Sequence, residues 1–444
     1  MRFRTLASAS LAVILLGVAA APASAAPGEP DWYLSALKID AGAAEGFTGN
    51  GVTIAVFDGQ INPQVPTLAN ANIDVREPSL CYDESGEPAP ATSTELSETK
   101  PTDHGTNVTS MIVGSGEGYP GQTGLVGVAP GAKILYYSVY TSSDDGSLQC
   151  LDEKGGPNND RFAIALTDAI DNGADIISVS LSVGLYEDEI AVLARALREG
   201  VVVLGSLSNT SELDMSMGMP GFANGAIGIQ AANEAGGIQA TDGVPNTNMD
   251  TDIVAPGVGF IAQGDPSTGR WEDQYAVDGT SLATPLAAGV LALAMEKYPT
   301  ATGNQIIQSL IRNTGGAVGQ EPVRDPEELY GYGLISLTNL MTIDPTQYED
   351  VNPLIQKTAD SNSVLLPTYN DIFSPKNEPT ASATPIPDEA DEADGATAPD
   401  APADVESGFS TGIIVAIAAG ALVLLAALAL LIVLLRRSRR KTRA

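Results

Sequence analysis

The sequence predicts an α/β domain in which a mainly parallel sheet lies between helical layers. Three observations carry that expectation. Short apolar runs recur through roughly residues 30–340: Val52 to Phe57, Ile134 to Val139, Ile176 to Leu181, Val201 to Leu204, Ala226 to Ala231 and Ile253 to Ala255. Unbroken apolar runs of this length suit strands buried on both faces. Helical patterns fall between or after them, at His104 to Val113, Asp160 to Asn172, Glu187 to Glu199 and Ser281 to Tyr298. Strands alternating with helices argue for a parallel sheet covered on both sides, and the length suits one large domain.

Both ends of the 444-residue chain have a different character. Arg2 and Arg4 precede an apolar stretch around Leu11 to Ala21 and the small-residue run Ala23-Ser24-Ala25-Ala26. That order predicts a secretory signal peptide over residues 1–25, with an N-terminal membrane anchor as the alternative. Gly412 to Leu435 is an uninterrupted apolar stretch, long enough at ~1.5 Å per residue to cross a hydrocarbon core of about 30 Å. It predicts a C-terminal transmembrane helix. The basic tail at 436–444 (Arg436, Arg437, Arg439, Arg440, Lys441, Arg443) then falls on the cytoplasmic side, and residues 26–345 form a domain outside the cell membrane. Residues 346–408 read as an extended region and linker. From about Asn362 to Ser407 it is Pro, Ala, Thr, Asp and Glu with few large apolar residues, too little to offset the entropy of ordering.

Charge narrows the partners. Eight of the 22 basic residues lie in the two terminal segments, which hold no acid, so the exported part carries 14 basic against 55 acidic residues, a net of −41. Such a surface repels nucleic acid. Acidic loops could hold calcium, but none has EF-hand spacing, so metal is left open and no cofactor is required. The only cysteines, Cys81 and Cys150, lie in the exported part. An even pair there is more often bridged than free, which predicts a disulfide closing a loop around His104.

Three polar positions stand at places where a sheet builds sites. The run Val52 to Phe57 ends in Asp58-Gly59, a carboxylate at the carboxyl edge of a buried strand; alone, Asp-Gly reads as a turn. His104, the one histidine in the chain, opens a helical pattern in Asp103-His104-Gly105-Thr106. A lone histidine is usually a satisfied polar residue, yet no other imidazole is available as a base. Ser281, in Gly279-Thr280-Ser281-Leu282-Ala283-Thr284-Pro285, precedes the apolar segment Leu286 to Met295. Serine there is commonly only an N-cap. The same location suits a nucleophile, because free backbone N–H groups favour a developing oxyanion. Serine needs a base and the base an orienting group, and the three residues supply that set.

Taken together, Val52 to Asp58, His104-Gly105-Thr106, Gly127-Val128-Ala129-Pro130-Gly131-Ala132-Lys133, Ile177-Ser178-Val179-Ser180-Leu181 and Gly279 to Pro285 resemble the subtilisin-like serine peptidases, in that family's order. The resemblance implies a subtilisin-like three-layer fold and a serine endopeptidase acting on protein or peptide substrates. Asp58, His104 and Ser281 would be its triad. Gly200 to Asn209 matches the segment that ends in the family's oxyanion asparagine, which assigns Asn209. Ser180, Leu181 and Ser182, and Ser206, Leu207 and Ser208, match segments that line the family's substrate cleft.

The chain departs from that pattern in three places. Gly59-Gln60 follows Asp58 where Thr/Ser-Gly is usual. Gly205-Ser206-Leu207-Ser208 is bulkier than the usual Ala/Gly run, and Ser182 replaces a glycine. Added side chains here predict a narrow pocket and a preference for a small residue before the cleaved bond. About thirty residues separate Ala26 from Asp58, too few for the usual folding pro-domain. With Pro30 to Leu34, the signal and the C-terminal anchor, this architecture resembles the mycosins, membrane-anchored relatives associated with type VII secretion, and implies a membrane secretion complex as partner. Two other readings stay open: a catalytically weak scaffold in such a complex, and an adhesin borrowing the fold.

Overall fold

The computed structural model describes residues 31–374 apart from 40–44, 143–147, 182–185, 211–219, 247, 249, 317, 328 and 359–365. A seven-stranded sheet is built from β1 (Thr53–Asp58), β2 (Ile73–Val75), β3 (Lys133–Ser138), β4 (Ile176–Val179), β5 (Val202–Ser206), β6 (Ile227–Ala232) and β7 (Ile253–Pro256). Its order is β7-β6-β5-β4-β1-β3-β2 and every pair is parallel. The chain leaves β1 toward β2 and β3 on one side, then returns to place β4 on the other. The carboxyl end of β1 therefore lies at the point where strand order reverses, the usual location of a site in such sheets.

Alternation along the strands fills two cores. Ile54 and Val56 of β1, with Ile134, Tyr136, Ile176, Val202, Leu204, Ile227 and Ile253, face a large core shared with α2 (Thr102–Val113), α5 (Thr280–Lys297) and α6 (Gly303–Arg312). Ala55 and Phe57, with Leu135, Tyr137, Ile177, Val179 and Val203, face a second core under α3 (Arg161–Asp171) and α4 (Glu187–Glu199). Successive strand residues point to opposite faces, so a strand covered on both sides must be apolar throughout. Helix α5 is buried along Leu282 to Ala294 and lies at the centre of the first core, as a helix apolar all round must. Helix α4 starts with Glu189 accepting the Tyr186 N–H at 2.6 Å and stops at Gly200, whose φ of 81° suits a left-handed cap.

Outside the sheet, α1 (Trp32–Leu37) buries Trp32 and Tyr33 against Phe260, and the Tyr33 hydroxyl donates to the Val126 carbonyl at 2.6 Å. Phe260 opens an antiparallel hairpin of β8 (Phe260–Asp265) and β9 (Arg270–Val277). Cys81 and Cys150 are joined in a disulfide, as their number and location predict.

The globular unit runs further than the sequence predicts. After α7 (Leu337–Leu340), the buried Asn352 donates to the Gly225 carbonyl at 2.7 Å and Leu354 is buried. Within the expected linker, α8 (Tyr369–Phe373) packs Ile372, fully buried, into the core beneath α4. Asn224 fixes the approach by donating to the carbonyls of Gln356 and Pro367. The docked turn, Leu366 to Phe373, is the apolar part of that stretch, and Thr368 and Asp371 cap α8 reciprocally. No helix among the described residues is long and apolar enough to cross a membrane, and residues 1–25 and 412–444 lie outside the described residues.

Replacing Ile372 with alanine removes a fully buried side chain and should lower unfolding free energy by about 2–5 kcal/mol in a guanidinium chloride titration. An unchanged midpoint would mean that α8 does not hold to the domain in solution.

Candidate active site

Asp58 ends β1 and is fully buried. A buried carboxylate needs donors, and it has four contacts from three elements. Gly59 N–H reaches Oδ1 at 2.7 Å, the Tyr140 hydroxyl reaches Oδ1 at 3.2 Å, and Nδ1 of His104 lies 2.9 Å from both oxygens. A carboxylate can only accept, so Nδ1 carries the proton and Nε2 is left as the acceptor. Burial raises the Tyr140 phenol well above its usual range, reinforced by Asp58, which keeps the hydroxyl a donor.

His104 sits in the first turn of α2 with its side chain about one-third exposed. Two neighbours fix where that turn lies. Tyr136 donates to the Gly59 carbonyl at 2.7 Å, and a Cβ on Gly105 would stand 2.0 Å from that same Tyr136 oxygen and 2.8 Å from the Gln60 carbonyl. Only glycine lets the helix start so close to β1. Burial pulls the His104 imidazole down, but the charge and hydrogen bond of Asp58, with the charge of Asp103, outweigh it and set its pKa above the ordinary 6.5.

Ser281 occupies the first turn of α5, half-buried. Four residues on, Pro285 has no N–H, so the Ser281 carbonyl lacks its intrahelical donor. The Ser180 hydroxyl supplies one at 2.9 Å, tying the end of β4 to the turn that carries Ser281. Ser180 thus serves the serine's own backbone. Asn209 follows β5, and its Oδ1 accepts the Thr280 N–H at 2.9 Å while its carbonyl accepts from Asn246 Nδ2 at 2.8 Å and Thr241 Oγ1 at 3.2 Å. With Oδ1 occupied, Nδ2 remains to donate. A Cβ on Gly279 would lie 2.9 Å from Ser281 Oγ and 3.7 Å from Asn209 Nδ2, so both groups border the same small space.

Asp58 and His104 are thus brought together, as are Ser281 and Asn209. No hydrogen bond joins Ser281 Oγ to the His104 ring; a nucleophile–base bond of this kind commonly tightens only around bound substrate. Of the expected cleft residues, Ser206 and Leu207 are buried, Leu207 lying against Gly228. Ser208 is half-buried, Leu181 packs on the α3–α4 core, and Ser182 lies outside the described residues. Tyr140 and Asn246 were not legible as site residues, since each is a single common residue with no pattern around it, and Thr280 lies inside the motif around Ser281 with no sign there of its bond to Asn209. Among the described residues no group of three or more His, Cys, Asp or Glu side chains is placed to hold a metal.

The subtilase family model, Peptidase_S8, matches residues 49–333. The chain belongs to the subtilase family. It is 28% identical over 308 residues to the thermostable alkaline protease of Halalkalibacterium halodurans, covering 68% of this chain and 71% of that one. It is 27% identical over 307 residues to a subtilisin of Bacillus pumilus, covering 68% and 96%. The crystal structure of fervidolysin from Fervidobacterium pennivorans aligns with a TM-score of 0.51 at 22% identity, over 70% of this chain and 45% of that one, a likeness of fold. The protein is a subtilisin-like serine endopeptidase, and its mainly parallel α/β architecture is that of the family.

The φ of Gly279 is extended at 170°, so alanine fits the backbone there and only its methyl is too close to Ser281 Oγ. Gly279→Ala should reduce kcat/KM by about 10²-fold, the scale of a ~1 Å misplacement, with little change in thermal midpoint. Wild-type activity would show that Oγ has room to move aside.

Proposed function

We propose that peptide bonds are cleaved through an acyl-enzyme in which Ser281 is the nucleophile, His104 the base and Asp58 its orienting partner. The observation that carries this reading is the Asp58–His104 contact at 2.9 Å, which leaves Nε2 unprotonated at the mouth of the site. In the first step Oγ of Ser281 bonds to the substrate carbonyl carbon as its proton passes to Nε2. The carbonyl oxygen becomes an oxyanion facing Asn209 Nδ2 and the Ser281 N–H. The imidazolium then gives its proton to the departing amine, and the acyl-enzyme forms. Water, deprotonated by the same nitrogen, hydrolyses the ester and returns Oγ its proton. Asp58 orients and stabilises the imidazolium in both halves.

The proposal extends to setting and selectivity. The apolar stretch at 412–435 with its basic tail, and the signal-like start, support a domain held outside the cell membrane on an acidic tether. Ser208, the one partly exposed member of the Ser206-Leu207-Ser208 run, supports selective cleavage after small residues. The mycosin-like architecture supports a place beside a type VII secretion complex.

A serine-directed fluorophosphonate should label the wild-type chain and not Ser281→Ala. A folded wild type that takes no label would instead make the chain a binding scaffold. Activity has a defined pH direction as well. His104 must be neutral to accept the proton, and its pKa lies above the ordinary value of about 6.5. So kcat/KM should fall as pH drops through a midpoint on the alkaline side of 6.5. A flat profile from about pH 5 to 8 would remove histidine as the base.

A further inference from the structure

Asp103, next to His104 in the first turn of α2, is 3% exposed. Its Oδ2 accepts the Tyr275 hydroxyl at 2.5 Å, and its Oδ1 is buried with no hydrogen-bond partner. Tyr275 projects from β9, and the hairpin to which it belongs is fastened to α2 a second time by Asn107. That side chain donates to the Gln263 carbonyl at 2.9 Å and accepts the Gln263 N–H at 2.9 Å. The hairpin thus has a tie to α2 that does not depend on Asp103. As a structural strut, asparagine at 103 would accept the same phenol hydrogen bond through its own Oδ1 and avoid burying a charge, which is costly when incompletely paired. What the aspartate adds is negative charge beside the imidazole.

We propose that Asp103 is a positioning residue for the reaction, a second buried carboxylate that, with Asp58, stabilises the His104 imidazolium formed when Ser281 gives up its proton. The inference rests on the reading of His104 as the base. The ionisable groups around the imidazole are Asp58 from β1, bonded to it, and Asp103, its buried chain neighbour in the first turn of α2, with Tyr140 bonded to the first and Tyr275 to the second. Burial raises the Asp103 carboxyl above its usual range, while the Tyr275 hydrogen bond and His104 oppose that rise. Burial and Asp103 together hold the Tyr275 phenol far above its usual range, so it stays the donor at any working pH. Each turnover creates positive charge on His104 twice, once per half-reaction, and a buried charge beside it is screened less by salt than one on the surface.

The chain has a single histidine, so its imidazole can be followed without assignment. Full-length protein labelled with isotopic histidine, in the Ser281→Ala background to prevent self-cleavage, is titrated by NMR as wild type and as Asp103→Asn. The midpoint should fall in Asp103→Asn. In the active enzyme the acid limb of kcat/KM should move to lower pH by the same amount. The alkaline plateau should drop by much less than the ~10²–10⁴-fold attached to a general base. Tyr275→Phe removes the donor that opposes the burial-driven rise of the Asp103 carboxyl and so favours its neutral form; it should shift the midpoint the same way by less, and it serves if Asp103→Asn fails to fold. A strut would lower stability and leave the midpoint in place, so an unchanged midpoint in a folded variant overturns the inference. If His104→Ala still takes the fluorophosphonate label, the reading of His104 has failed. If that variant loses the label while the midpoint stays put, only the role of Asp103 has failed.

Discussion

A carboxylate without solvent stands at the end of the strand where the sheet reverses its order, and its need for donors organises the residues nearby. Asp58 is fully buried, so every donor it has must come from the protein. The next backbone N–H, a tyrosine just past β3 and the imidazole from α2 answer that need. Each constrains something further. Tyr140 fixes the chain leaving β3, and the imidazole sets the depth and rotation of the first turn of α2. Gly105 is the one residue type that tolerates that depth.

On the other side of the cleft, a defect in a helix performs a similar service. Pro285 interrupts the hydrogen bonding of α5 in its first turns and leaves the Ser281 carbonyl to a side chain from another strand. The missing N–H thereby links β4 to α5, and Thr280 links α5 to the segment after β5 through Asn209. Both halves of the site are held by bonds between elements distant in sequence, and the parallel sheet keeps those elements in register.

Much of this was readable in the sequence, and what was not has physical reasons. The apolar runs that became β1, β3, β4, β5, β6 and β7 were visible because strands buried on both faces are apolar at most positions, with only isolated polar residues such as Ser178 and Gln230 among them. β2 escaped notice because three residues pairing on one side need no such run. The hairpin of β8 and β9 mixes buried and exposed positions, and its glycines look like loop punctuation. Helix α6 did carry a signal, since Thr302 and Gln305 form a capping box ahead of Ile306, Ile307, Leu310 and Ile311. Asp58, His104, Asn209 and Ser281 stand out as candidates through their short motifs. The residues that aim them act through contacts between distant segments: Tyr140 and Asn246 leave no local trace, and Ser180 and Thr280 sit in the quoted motifs without showing which partner each one bonds. Ser180 was read as part of the substrate cleft for that reason.

An endopeptidase is exposed to its own kind, and the disulfide bears on what a stray cut would do. The bridge spans 69 positions, from Cys81 to Cys150, and that interval contains all of α2 with His104 as well as β3. A single nick anywhere between the two cysteines opens the backbone but separates nothing, because both new ends stay covalently attached through sulfur. The helix bearing the imidazole cannot diffuse away, and the fully buried positions of β1 and β3 favour its return to the same seat. Reduction of that bond would turn the same nick into fragmentation, so the bridge converts a cut that would dismantle the site into one that the fold can survive.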